Sequence, residues 1–173
     1  MTKLTARTLV LLRHAKAEES AATDHDRELS ARGHTDAAAV GRWLDGSGYR
    51  FGAVLCSTSI RTRQTWNGIE AVGVAADDVR FDRRVYSGEA DVLLAVLAEV
   101  PDDVGSVLVI GHAPTIPGLA DLLADPEASE AAALDALRSS FPSGCLAVLS
   151  VDAKWAALAA DSATLSAVTT PRG

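Results

Sequence analysis

The sequence predicts an α/β fold, a three-layer sandwich in which a largely parallel central sheet is flanked by helices, with no large lid insertion. Short apolar runs, too short for helices, alternate along the chain with longer segments whose apolar residues recur at helical spacing. Strands that alternate with helices pair as a mostly parallel sheet with helices on both faces. The 173 residues suit one compact domain, so we expect a single domain over 1–173.

The elements follow from local patterns in chain order. Leu9–Leu12 is a short apolar run, typical of a strand buried on both faces, and it predicts a first strand at Thr8–Arg13. The polar segment 17–28 predicts a loop, and Ser30 is expected to cap a helix that ends near Leu44. Further predicted elements are a strand at 53–56, a helix at 60–71, a strand near 79–81, a helix at 89–100, a strand at 106–110 and a helix at 115–124.

The last third of the chain gives weaker patterns. The alanine-rich segment 128–137 is compatible with a short helix or with a mobile loop. Segments 145–151 and 155–160 resemble a terminal hairpin that turns around Asp152. We expect the tail after about residue 162 to be frayed.

Charge and hydropathy exclude several classes of protein. A formal net charge of −7 and a pI near 5.0 predict no nucleic-acid partner, because such a chain repels a phosphate backbone. The apolar runs are far shorter than the roughly 20 residues of a membrane helix, and the N-terminus has no signal-peptide pattern. We therefore expect a cytoplasmic protein with no membrane partner, and a monomer.

Three predicted strands end in polar residues. Arg13 and His14 follow the first strand, the segment from Ser57 to Arg61 follows the second, and His112 follows the strand at 106–110. In open α/β sheets, ligands bind beyond the carboxyl ends of the strands, so we expect these side chains to form one pocket.

Two histidines and two arginines around one pocket suit a phosphoryl group. Arginine offers a planar fork of donors to phosphate oxygens, and a neutral imidazole can attack phosphorus to form a covalent phosphohistidine. The second histidine, if protonated, can hold the equatorial oxygens. Backbone N–H groups after His112, beginning with Ala113, would add an anion site at a helix start. The sequence contains no metal-ligand pattern, so we expect neither a metal nor a cofactor.

The same segments carry a family resemblance. LLRHA at 11–15, STSIRTRQT at 57–65 and IGHAP at 110–114 resemble, in order and spacing, the three blocks of the histidine phosphatase (phosphoglycerate mutase-like) superfamily. The resemblance implies that His14 is the nucleophile and His112 the second histidine of the phosphate pocket. It also implies that Arg13 and Arg61 bind the phosphate.

Two further features resemble the small SixA-like branch of phosphohistidine phosphatases. RHAK stands at 13–16 in place of the more familiar RHGE, and DRELSARG at 26–33 matches an element typical of that branch. The resemblance implies a protein phosphohistidine substrate, of the histidine phosphotransfer type. Lys16 and Arg27 lie near the predicted pocket, where they either widen its positive rim for such a substrate or remain ordinary solvated charges.

The general acid is the point at which the sequence departs from the mutase-like pattern. That branch often carries a carboxylate after the third strand, but residues 83–91 read RRVYSGEAD here. Glu89 or Asp91 could act as the acid only if the loop turns inward; otherwise both are charges favoured at a helix start. A phosphohistidine nitrogen leaves with little added proton, so a missing acid fits phosphohistidine better than an alkyl ester.

Three alternatives stay open at this point. The first is a small-molecule phosphatase of the same superfamily that acts on sugar phosphates, nucleotides or similar esters. A phosphoglycerate mutase is less well supported, because nothing in the chain is long enough to enclose the site against water. A phosphate-binding module without catalysis is the third, although such a module has no need of an unblocked nucleophile.

Overall fold

A computed structural model describes residues 5–173, and its six strands form one mixed sheet. The strand order is β3-β2-β4-β1-β5-β6. The first four pair in parallel, whereas β5 and β6 are antiparallel to their neighbours, so the sheet is parallel in the half that was expected to hold the site. The strands are β1 Arg7–Arg13, β2 Phe51–Ser57, β3 Ala76–Asp82, β4 Ser106–Gly111, β5 Leu146–Val151 and β6 Thr164–Thr169.

Helices cover both faces of the sheet, which confirms the predicted three-layer sandwich. The first two helices pack on one face, and the other four helices pack on the opposite face. No helix in the described part of the chain is long and apolar enough to span a membrane. The helices are α1 Ala31–Gly46, α2 Ile60–Glu70, α3 Arg83–Ser87, α4 Ala90–Ala98, α5 Thr115–Leu123 and α6 Ala131–Ser139.

The apolar run of β1 explains why the sheet divides the core in two. Successive side chains of a strand point to opposite faces, so Leu9 and Leu11 join the cluster under α3 to α6. Val10 and Leu12 join the cluster under α1 and α2. All four are fully buried. Burial on both faces places β1 in the interior of the sheet, between β4 and β5.

The predictions for the C-terminal third need correction. Residues 155–157 form a single 3-10 turn in which Trp155 is buried, so the predicted second hairpin strand is wrong. The partner of β5 is β6, at Thr164–Thr169, and the tail is therefore not frayed after about residue 162. Arg172 also pairs with buried Asp36 at 2.9 Å, which ties the segment after β6 to α1.

Candidate active site

The two histidines lie at the ends of neighbouring strands. His14 follows β1 and His112 follows β4, and these strands pair in parallel, so their ring centroids are 5.2 Å apart. Ser57 ends β2 on the other side of β4, and Arg61 extends from the first turn of α2 just beyond it. The structure therefore brings together the groups that the sequence placed at three separate strand ends.

Backbone hydrogen bonds hold His14 at this edge from three directions. Its N–H donates to the Gly111 carbonyl at 3.0 Å, and its carbonyl accepts from the Gly144 N–H at 2.9 Å. Gly144 has φ +78°, a conformation that favours glycine and that aims its N–H at the end of β1. The N–H of Ala15 donates to the Thr65 hydroxyl at 3.1 Å. The backbone at His14 is thus held by β4, by the segment before β5 and, through the neighbouring Ala15, by α2.

The imidazole of His14 is neutral and its Nε2 atom is available as a nucleophile. Nδ1 lies 2.7 Å from the Ala15 carbonyl oxygen, which can only accept, so Nδ1 carries the proton and Nε2 the lone pair. The pKa of His14 is lowered to about 4, mainly by burial and also by the nearby Arg61 and Arg13, whereas the hydrogen bond to Ala15 acts in the opposite direction. At neutral pH the side chain therefore has the tautomer that attack through Nε2 requires.

Arg61 connects the two histidines. Its Nε atom lies 3.3 Å from His14 Nε2, and Nη2 lies 3.3 Å from His112 Nδ1. Nη1 donates to the Asp24 carbonyl, at 2.6 Å, and Nη2 to the Asp24 carboxylate, at 3.1 Å. The guanidinium is 5% exposed, so a desolvated cation lies at the base of the site.

His112 is also neutral before any ligand binds. Arg61 Nη2 can only donate, so Nδ1 of His112 accepts from it, and Nε2–H donates to the Ser57 hydroxyl oxygen at 2.8 Å. Burial, with His14 and Arg61 nearby, lowers the pKa of His112 to about 3. The protonated state that the sequence argument considered therefore requires an anion in the pocket.

These groups surround a cavity of about 570 Å³. Arg13, Lys16, Arg27 and Ala113 line it together with the two histidines and Arg61. For Lys16 and Arg27 the sequence had left open a position at the pocket rim or an ordinary solvated one. Arg13 donates through Nη1 to the Phe141 carbonyl at 3.0 Å, whereas its Nε atom is buried and has no partner within residues 5–173. The remaining lining residues are Ala17, Asp24, Tyr86, Ser87 and Ser143.

Asp24 is a residue of the site that sequence reasoning missed. Its carboxylate accepts from Arg27 at 3.0 Å, from Arg61 at 3.1 Å and from the Tyr86 hydroxyl at 2.9 Å. The Arg27 hydrogen bond, followed by those from Tyr86 and Arg61, holds the pKa of Asp24 well below its usual range. The available signal in the sequence was the pair of acidic residues Asp24 and Asp26, which immediately precede Arg27 in the loop after the first strand.

Glu89 and Asp91, the two residues considered for the acid, do not reach the cavity. Both are exposed, and the Asp91 carboxylate accepts from the backbone N–H of Val92 at 2.8 Å, as a charge at a helix start does. Segment 83–87, expected as a loop, instead forms α3, which brings Tyr86 and Ser87 to the cavity. Of the two alternatives that the sequence left open for these carboxylates, the structure favours charges at a helix start.

No group of three or more His, Cys, Asp or Glu side chains within residues 5–173 could hold a metal ion. The donor set of the cavity is mainly cationic, with four arginine or lysine side chains against the carboxylate of Asp24. Such a set attracts an anion and repels a divalent cation.

Comparisons with known proteins agree with this chemistry. The model of the histidine phosphatase superfamily (branch 1) matches residues 9–84. The chain is 36% identical over 162 residues to the uncharacterized protein Rv1276c of Mycobacterium tuberculosis, covering 93% of this chain and 100% of that protein. A protein from Nakamurella multipartitia, assigned as the phosphohistidine phosphatase SixA, is 42% identical, with a TM-score of 0.86 and coverage of 96% and 97%. A protein from Agrobacterium tumefaciens with the same assignment is 28% identical, with a TM-score of 0.77, and the match covers 95% of this chain and 99% of that protein.

Proposed function

The chain belongs to the histidine phosphatase superfamily, in its SixA-like group, and from this premise we propose that it hydrolyses protein phosphohistidine through a covalent phosphohistidine on His14. The observation that carries the proposal is the unprotonated Nε2 atom of His14, which accepts a hydrogen bond from the buried guanidinium of Arg61. A neutral imidazole with its proton on Nδ1 is a nucleophile, and the cation beside it attracts the phosphoryl group to it.

The first step transfers the phosphoryl group from the substrate to the enzyme. His14 Nε2 attacks phosphorus, and the bond from phosphorus to the substrate nitrogen breaks as the new bond forms. The Arg61 donors that now serve His14, His112 and Asp24 turn to the phosphoryl oxygens. Charge builds on those oxygens in the transition state, and a preorganised guanidinium stabilises it without reorganising solvent.

His112 changes its role when the anion arrives. A dianionic phosphoryl group near Nδ1 raises the pKa of His112, since an opposite charge favours the protonated form. The ring then donates from Nδ1 to an oxygen, while Nε2–H keeps its hydrogen bond to Ser57. Arg13 contributes through its Nε atom, which has no acceptor in the described residues.

The second step hydrolyses the phosphorylated His14. A water oxygen attacks phosphorus, the bond to Nε2 breaks, and inorganic phosphate leaves with His14 neutral again. Asp24 is the one carboxylate among the described residues that line the cavity. Once Arg61 has turned to the phosphoryl oxygens, Asp24 has lost one of the donors that lower its pKa, and its ionised form can accept the proton of that water. Neither step requires a metal or a cofactor, and we propose that the reaction is metal-independent.

A small-molecule phosphate ester phosphatase is the second candidate, and Asp24 is the observation that favours it. The leaving alkoxide of an ester needs a proton, and a carboxylate does lie in the cavity, although it comes from the loop after β1. Phosphohistidine remains the favoured substrate, because three hydrogen-bond donors keep the Asp24 carboxylate ionised in the free protein. An ionised carboxylate is a base, and it has no proton to give to an alkoxide.

The test compares turnover of a phosphohistidine-bearing phosphotransfer protein with a panel of sugar phosphates and nucleotides. Wild type and His14→Ala are assayed side by side, with and without EDTA. We expect the highest kcat/KM on the phosphoprotein, acid-labile phosphate on wild type only, and no effect of EDTA. Faster ester hydrolysis would promote the second candidate, and loss of activity in EDTA would reject the metal-independent mechanism. A monomeric state and a cytoplasmic location stay predictions.

A further inference from the structure

A second cavity of about 570 Å³ adjoins the active-site cavity. The two cavities share Arg13, Lys16 and Ser143, so these three residues separate them. We call the second cavity the side pocket. Its other lining residues come from the start of α1, from the segment before β5 and from the segment after β6; they are Ser30, Arg32, Asp36, Pro142 and Arg172.

The side pocket gathers positive charge in an acidic protein. Four cationic side chains and one carboxylate line it, although the whole chain has a net charge of −7. The carboxylate of Asp36 is 1% exposed and is already paired with Arg172 at 2.9 Å and with Arg32 at 3.3 Å. The field in the open part of the pocket is therefore set by the cations.

Several donors in the side pocket are left without an acceptor. Within residues 5–173, the ammonium group of Lys16 has no ion-pair partner, and Arg32 uses only its Nε atom to bind Asp36. The side chain of Arg32 is 62% exposed, so its two terminal nitrogens are open to a ligand. Together with Lys16 they offer charged donors on one side of the pocket.

Close packing of α1 against the loop after β1 fixes the backbone on this side of the side pocket. The N–H of Ser30 donates to the Lys16 carbonyl at 2.9 Å, and its hydroxyl caps α1 by accepting from the Gly33 N–H at 3.1 Å. A Cβ atom at Gly33 would collide with the Lys16 carbonyl oxygen, so only glycine permits this approach. The contact holds the backbone of Lys16, two residues after the nucleophile His14, against the start of α1, the helix that carries Arg32.

We propose that the side pocket binds a second anionic group, a carboxylate or a phosphate, on the same substrate whose phosphoryl group lies at His14. The proposal rests on the proposed function, because the phosphoryl group defines where the first anion sits. Arg13 and Lys16 line both cavities, so one substrate can reach both without leaving the cationic surface. On a phosphohistidine protein, the second group is an acidic side chain near the phosphorylated histidine.

The first experiment measures binding without turnover. The full chain is titrated calorimetrically with ω-carboxyalkyl phosphonates of increasing length and with ω-hydroxyalkyl phosphonates of the same lengths. At the length that spans both cavities, we expect the carboxylate series to bind about fivefold more tightly, the scale of one exposed ion pair. Arg32→Gln and Arg172→Gln should each reduce that preference by about three- to fivefold.

Matched variants separate this role from a structural one. Arg138→Gln removes a similar surface ion pair, with Asp121 at 2.8 Å, outside both cavities, and should keep the preference. Arg172→Lys keeps the positive charge and should therefore retain most of the preference for the carboxylate series. If Arg172→Gln does not fold, the carboxylate preference of Arg32→Gln is the deciding measurement, because Arg32 is exposed. Equal binding of the two series at every length, or a preference that Arg32→Gln does not reduce, would overturn the proposal.

Turnover identifies the source of the second group and separates the two proposals. Phosphohistidine peptides with aspartate or asparagine beside the phosphohistidine are compared, as are ω-carboxyalkyl and ω-hydroxyalkyl phosphates. A preference for aspartate supports a protein source, and a preference confined to the esters supports a metabolite. Selective phosphonate binding with no turnover of any substrate would support the side pocket and reject the phosphatase function. Turnover of phosphohistidine without any preference for a second anion, in binding or in rate, would support the phosphatase function and reject the side pocket.

Discussion

The Nε2 atom of His14 lies 3.3 Å from the Nε atom of Arg61, so the nucleophile and the main phosphate-binding cation bind each other before any ligand arrives. The same guanidinium also binds the Asp24 carboxylate at 3.1 Å. A phosphoryl group that binds to Arg61 therefore competes with these internal partners and with His112. The ion pair of Arg61 with Asp24 and its hydrogen bond to the neutral His14 therefore oppose the binding of an oxyanion.

Loss of the nucleophile should abolish turnover. His14→Ala removes the imidazole that is proposed to attack phosphorus through its unprotonated Nε2 atom, while the backbone bonds to Gly111 and Gly144 persist. We expect no measurable turnover and a melting temperature close to that of wild type. Rapid-quench labelling should give acid-labile phosphate on His14 in wild type and none in the variant. Near-wild-type activity in His14→Ala would contradict the mechanism.

Loss of either partner of the phosphoryl group should slow the reaction. Arg61→Ala and His112→Ala each remove a preorganised donor, and we expect kcat to fall by roughly 100-fold or more. Both variants should also bind vanadate more weakly. Arg63→Ala is the matched control, since this neighbouring arginine lies over the Phe81 ring, 4.4 Å from its centroid, and outside the cavity. Unchanged vanadate inhibition in both variants would remove these residues from the pocket.

Loss of the internal carboxylate should act in the opposite direction on anion binding. Asp24→Asn removes the charge that competes for Arg61 and Arg27, so vanadate and phosphate should inhibit about three- to tenfold more strongly, the scale of one exposed to partly buried ion pair. Release of phosphate should slow in parallel, as seen in product inhibition at steady state. Unchanged or weaker inhibition would show that Asp24 does not compete for the phosphate site.

Three carboxylates outside the cavity provide controls for that variant. Asp26→Asn alters the same short turn, where the carboxylate accepts from the Thr23 hydroxyl at 2.7 Å. Glu89→Gln and Asp91→Asn alter the two residues that the sequence offered as acids. We expect mild effects on phosphohistidine turnover from all three. A large loss from Glu89→Gln or Asp91→Asn would mean that one of these side chains enters the site during the reaction.

The acid limb of the pH–rate profile should lie well below the ordinary histidine pKa. The nucleophile must be neutral, and burial lowers the pKa of His14 to about 4 in the free protein. The enzyme-dependent part of kcat/KM should therefore stay constant from neutral pH to about pH 5 and fall below it. The profile is measured with a substrate whose own phosphate ionisation has been determined and subtracted. An enzyme limb near pH 6.5 would show that His14 is solvated.

The same shift makes stability depend on pH. The pKa of His14 is lower in the folded protein than in the unfolded chain, so the unfolded chain binds more protons between about pH 6.5 and pH 4. The free energy of unfolding should fall with acidification in that window, by on the order of 1 kcal/mol per pH unit at its lower end. Urea titrations of His14→Asn should show a smaller slope. Equal slopes in the variant and wild type would contradict the burial of this group.

The sequence by itself determined the layered fold and the four central groups of the site. Short apolar runs such as Leu9–Leu12 are typical of strands buried on both faces, and parallel strands bring their carboxyl ends to one edge. Residues that directly follow those strands, such as His14 and His112, must then converge. A residue's position directly after a strand depends only on its neighbours in the sequence, so a local sequence pattern is enough to predict it.

Only the tertiary structure decided what the loops contribute. Asp24 reaches Arg61, 37 residues away in the chain, because the loop after β1 folds back over α2 and its carboxylate finds cationic partners there. Tyr86 enters the cavity, and Glu89 does not, because segment 83–87 closes into a helical turn. The pairing of β6 with β5 depends likewise on a distant partner strand. These outcomes rest on contacts between segments far apart in the chain, whose energies no local pattern contains, whereas the strand-end residues are positioned by the sheet itself.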